Sequence, residues 1–145
     1  MGNTNLTNIT AVCPKCHKQS PHFINEWNET HFLKCDFCKT DFKSIIVKVR
    51  TKNATSNKNE QKQLYSARVF RANGKEDLIQ FETSYRKLVE MKQKDIIMLS
   101  YLKNQLHIVE NFTINNYTVI RNKGCLGSTL LAVLLFLLVV INTFR

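Results

Sequence analysis

Glycine and proline are scarce in this chain, four and two among 145 residues. So few glycines exclude a Gly-rich loop of the kind that brings backbone close to a polyphosphate. Acidic residues are also few, 11 against 21 lysines and arginines. Glu76, Asp77, Glu82, Glu90 and Asp95 fall mostly at expected strand ends and turns, so no carboxylate pair for acid–base work can be argued. There is no Ser/His/Asp arrangement with supporting spacing and no His-Glu metal motif, and His107 reads as a strand residue rather than a base. The length leaves room for one domain or two very small ones, which excludes a large enzyme with a deep two-domain cleft. The expectation is a protein without catalytic activity of its own. A net charge of +10 also excludes a disordered acidic tail.

Charge is missing altogether from Gly124 to Ile141, a run of 18 residues. As a helix this run reaches about 27 Å, enough for a hydrocarbon core of about 30 Å with some local thinning. It is apolar on every face, and a body of this size cannot cover such a helix. Arg121 and Lys123 flank one end and Arg145 the other. The reading is a single transmembrane helix over 124–141, with the lipid bilayer as partner. Three arguments place the body in the cytosol. Basic residues before the span outnumber those after it. No apolar leader precedes the body, and paired free cysteines suit a reducing compartment. The N-x-T sequons at Asn5, Asn8, Asn28, Asn53, Asn111 and Asn116 read as chance in an Asn-rich chain. Met1-Gly2 lacks the Ser or Thr that myristoylation needs at position 6, which is Leu6. Cys125 reads as a small apolar residue of the span.

The other four cysteines form two pairs, Cys13-Pro14-Lys15-Cys16 and Cys35-Asp36-Phe37-Cys38, separated by 18 residues. Each pair makes a tight turn that aims two thiolates one way, and two such turns facing each other give a tetrahedral sulfur cage suited to Zn²⁺. The spacing falls within the window of paired Cys-x-x-Cys zinc sites. Iron and a pair of redox dithiols are the competing readings. His17, His22 and His31 lie close by but read as surface or packing residues, since four thiolates already complete the shell. Phe23, Trp27, Phe32 and Phe37 are expected to cover the cage.

On these residues, 11–43 resemble a zinc ribbon, two metal knuckles carried on β-hairpins. The resemblance implies Zn²⁺ held by Cys13, Cys16, Cys35 and Cys38, in a closed structural site. One departure stands out: knuckles often carry Gly after the second Cys, whereas His17 and Lys39 stand there, so a less regular turn is expected. Rubredoxins share the two-pair arrangement with iron, and an iron electron carrier is the alternative that this likeness implies.

The remainder reads as β structure. Phe42–Arg50 alternates as a strand, with Ile45, Val47 and Val49 on one face. Residues 52–63 contain only Ala54 as an apolar residue and read as a polar linker or loop. Leu64–Arg71 and Asp77–Glu82 flank Asn73-Gly74, a strong hairpin signal. Lys87–Met91 reads as a short strand, Asp95–Tyr101 and Gln105–Phe112 as a hairpin around Leu102-Lys103-Asn104, and Tyr117–Arg121 as the last strand. The fold class is therefore mainly β. The expected order is a flexible N-terminus (1–10), a zinc ribbon with the following strand (11–51), the linker (52–63), a small OB- or SH3-like barrel or sandwich (64–121), and the transmembrane helix. Lys43, Lys48, Arg50, Arg68 and Arg71, interleaved with aromatics, form a candidate basic surface. The expected partner is another protein, with nucleic acid as the alternative.

Overall fold

The computed structural model describes residues 8–24, 30–57, 59–71, 73–84 and 87–120. Trp27, the flanking Arg121 and Lys123, Cys125 and the apolar run 124–141 lie outside the described residues. Among the described residues there is no helix at all, and so none long and apolar enough to cross a membrane. The described residues contain nine strands: β1 (Asn8–Val12), β2 (Gln19–Phe23), β3 (Thr30–Lys34), β4 (Asp41–Asn57), β5 (Lys62–Phe70), β6 (Glu76–Ser84), β7 (Ile96–Leu102), β8 (Gln105–Asn111) and β9 (Asn116–Val119). Every pairing is antiparallel. β1 and β2 form a two-stranded sheet, and the others form one sheet in the order β6-β5-β4-β7-β8-β9, with β3 also on β4.

β4 is the spine of the molecule, and its sequence explains why. Ile45, Ile46 and Val47 run consecutively because the strand is buried on both faces there. Ile45, Val47 and Val49 join Tyr65, Val69, Ile97, Leu99 and Val109 in the larger core. Ile46 points the other way, into a smaller core with Phe42, Leu33, Met98 and the cysteines. The opposite face, which carries Lys48 and Arg50, thus begins with buried Ser44 and Ile46.

Two hairpins match their sequence signals. Asn73-Gly74 lies in the turn joining β5 and β6, where Gly74 adopts φ +80° and Asn73 Oδ1 accepts the Lys75 N–H at 2.9 Å. Lys103 and Asn104, both at positive φ, make the two-residue turn between β7 and β8.

Three expectations are corrected. Residues 52–63 are not a linker: β4 continues to Asn57, and β5 begins at Lys62. The stretch looks like a loop in sequence because Lys52–Asn57 are exposed, so nothing there needs to be apolar. Lys87–Met91 is not a strand. Side chains take its backbone groups instead: Val89 donates its N–H to the Tyr65 hydroxyl at 2.9 Å, Thr83 donates to the Lys87 carbonyl at 3.0 Å, and Asn111 donates to the Glu90 carbonyl at 2.9 Å. Finally, the strand order is open rather than closed into a barrel, β6 and β9 having no second partner among the described residues. Val89, Met91 and Ile120 fill the larger core where strand pairing does not.

Candidate metal centre

The two knuckles are local copies of each other. In the first, the Cys13 carbonyl accepts the His17 N–H at 2.9 Å and the Cys13 N–H donates to the Lys18 carbonyl at 3.0 Å. In the second, the Cys35 carbonyl accepts the Lys39 N–H at 3.0 Å and the Cys35 N–H donates to the Thr40 carbonyl at 3.0 Å. His17 (φ 58°) and Lys39 (φ 57°) occupy the left-handed region that glycine takes most easily. The turn is therefore as regular as a glycine knuckle, at a strain of about 1 kcal/mol per non-glycine residue.

The hairpins turn all four sulfurs inward. Cys13 Sγ lies 3.6 Å from Cys38 Sγ, and Cys16 Sγ lies 3.6 Å from Cys35 Sγ. All four sulfurs fall within 4.8 Å of one another, and no disulfide joins them. Four thiolates at about 2.3 Å from a tetrahedral ion stand about 3.8 Å apart, so the described geometry fits a metal ion of that kind. Cys13 and Cys35 are buried, while Cys16 and Cys38 are half-exposed. The group contains no histidine.

The sulfurs differ in environment. Burial pushes the Cys13 thiol up to about 12, against backbone N–H donation from Cys16 and Lys15. Hydrogen bonding to Thr40, whose Oγ1 lies 3.3 Å away, holds Cys38 down to about 6. A bound divalent cation overrides both, because a coordinating thiol is deprotonated outright.

The aromatic cover differs from expectation. Phe23 and Phe32 are 81% and 83% exposed, and Phe37 is exposed with Lys18 Nζ 4.8 Å from its ring centroid. Strand alternation turns Phe23 and Phe32 outward, Phe37 sits in the turn of the second knuckle, and Ile9, Ile24, Leu33, Phe42, Ile46 and Met98 pack around the cage instead. His22 meets Phe42 edge-on, with ring centroids 6.1 Å apart.

The candidate basic residues do not form one free surface. Arg50 and Arg68 both pair with Glu76, and Arg71 pairs with Asp77. Arg50 also lies over the Phe70 ring at 5.4 Å. Lys48 is exposed on β4. Lys43 stands in register between Phe32 on β3 and Tyr101 on β7, its Nζ 6.0 Å from the tyrosine ring centroid.

Sequence reasoning overlooked Glu110. It is 5% exposed, and its Oε2 accepts the N–H of Val12, the residue before Cys13, at 3.1 Å. Burial pushes its carboxyl up to about 7. The signal was present: Ile108, Glu110 and Phe112 alternate along β8 and just beyond it, which places the acid between two apolar residues on an inward face. Comparisons with protein-family models, curated proteins and solved structures find no match to this chain.

Proposed function

We propose that the protein is a zinc-stabilised β module, tethered to a membrane through residues 124–141 with its body on the cytosolic side, whose work is to bind another protein rather than to catalyse a reaction. The observation that carries the metal part is the convergence of four cysteine sulfurs within 4.8 Å. A four-thiolate shell has no open position for a substrate or a water nucleophile, which favours a structural role. Zinc is preferred to iron because nothing in a structural role requires redox chemistry. The tether rests on the uncharged run in the sequence alone.

Elemental analysis of the full chain, purified in mild detergent without added metal, tests this reading. One zinc per chain and a colourless protein support it; a coloured protein with one iron replaces it with an electron carrier. Partition of the chain into the soluble fraction after an alkaline wash of membranes removes the tether.

A second reading is favoured by the Phe32–Lys43–Tyr101 row, in which two aromatic rings flank a cation across three strands. Such rows stack the bases of single-stranded nucleic acid while the cation meets phosphate. It predicts oligonucleotide binding that weakens steeply with salt, and no binding at low salt removes it.

A further inference from the structure

We propose that the free side of β4 between Thr51 and Asn57 is a vacant strand position, filled by an extended segment of a partner protein that pairs with β4 and seats an apolar side chain in the adjoining cleft. This deepens the protein-binding reading and rests on it. Residues 43–45 of β4 pair with β3 on one side and β7 on the other, and Lys48 pairs with Phe70 of β5 and Ile96 of β7. β3 and β5 therefore share one side of β4, and β7 has the other. On the β7 side pairing ends at Val49, whose N–H donates to the Asp95 carbonyl at 2.9 Å and whose carbonyl accepts the Lys94 N–H at 2.8 Å.

Beyond that step no described strand pairs with this side, although β4 runs on to Asn57 against β5. Seven residues are the length of an ordinary strand. They contain no proline, and Lys52 is their one charge, so little blunts the edge. Antiparallel alternation, carried through the bulge between Val49 and Thr51, turns the backbone N–H and C=O of Lys52, Ala54 and Ser56 to the vacant side.

A cleft of about 570 Å³ opens where pairing stops, lined by Lys52 and Asp95 at the step and by Leu88, Val89, Met91 and Ile114 beyond it. Leu88 and Ile114, both exposed, bring two large apolar side chains together on its lining. Lys52, Lys92 and Lys94 are exposed around the step, and the two acids there are already engaged: Glu90 accepts from Asn116 at 3.1 Å, and buried Asp95 accepts from Asn111 at 2.7 Å and from the Lys92 N–H at 2.8 Å. The occupant is therefore an extended segment bearing carboxylates and at least one large apolar residue. Backbone pairing gives it affinity and the cleft gives it specificity.

The test is a selection of random dodecapeptides on the immobilised full chain, in detergent with its metal. Enriched peptides should be acidic and carry large apolar residues, and they should slow amide exchange at Lys52, Ala54 and Ser56. Ala54→Pro removes a donor from the vacant side and none from the β5 ladder, so it should bind these peptides about ten-fold more weakly while keeping its metal and melting temperature. Leu88→Asp should weaken them as well without touching the strand. No enrichment, or peptides that bind both variants like the wild type, overturns the proposal. A wild-type dimer that Ala54→Pro makes monomeric also overturns it, assigning the edge to a second copy of this chain. Metal content and membrane partition of the same variants report separately on the module reading.

Discussion

The metal end and the β4–β6 arm are held together in opposite ways. Around the cage, β1, β2 and β3 are each five residues long, and their apolar contacts centre on four sulfurs and one small core. In the arm, β5 and β6 pair along nine residues each, with Tyr65 stacked on Phe81 at 5.2 Å. Their charges differ too. Arginines of the arm meet Glu76 and Asp77, whereas Lys15, Lys18, Lys34 and Lys39 around the cage make no carboxylate ion pair among the described residues. Short hairpins are marginal alone in water, so under the proposed function the cysteine end depends on a bound ion while the arm depends on its ladder. Ile46 of β4, Met98 of β7 and the hydrogen bond from Val12 to Glu110 of β8 join the cage to the main sheet that carries the arm.

Replacing Cys35 by Ser should be the most damaging change. The ion is lost, and with it several kcal/mol that hold residues 8–46, while the β5–β6 hairpin survives. Zinc content together with residue-resolved amide exchange reads both effects; equal loss of protection in both regions would break the comparison. Ile46→Ala comes next, at about 2–5 kcal/mol in urea denaturation, because it opens a cavity between the cage and the spine.

Glu110→Gln sharpens the link between the regions. A carboxyl raised from 4.5 to about 7 in the folded protein favours folding most when protonated, and the wild type loses that advantage as pH rises from about 4.5 through 7. The amide can still accept from Val12 and carries no charge. The variant should therefore match the wild type near pH 4.5 and exceed it by roughly 3 kcal/mol above pH 7. Urea midpoints at pH 5.5 and 8 measure the widening gap; a gap that stays constant would show that Glu110 is not desolvated by folding. Arg68→Ala should change stability by no more than about 0.5 kcal/mol, since its pairing with Glu76 is exposed and salt-screened.

The cage was legible in the sequence because its ligands are local: each pair fixes its own turn, and two turns suffice. The hairpin at Asn73-Gly74 was legible for the same reason. What escaped depends on distant partners. Lys52–Asn57 form a strand only because β5 lies beside them, and their polarity records exposure rather than irregular backbone. Lys87–Met91 has strand-like residues, but Tyr65, Thr83 and Asn111 claim its backbone groups. Phe23 and Phe32 seemed destined for a small core until the alternation of their strands turned them to solvent.

The most direct test is amide exchange before and after removal of the ion with a strong chelator. Protection should collapse at Val12, Cys13, Leu33 and Cys35 and persist at Tyr65, Ala67 and Val69. Unchanged protection at the cysteines after complete metal removal would contradict the claim that an ion bound by four sulfurs holds this end of the protein together.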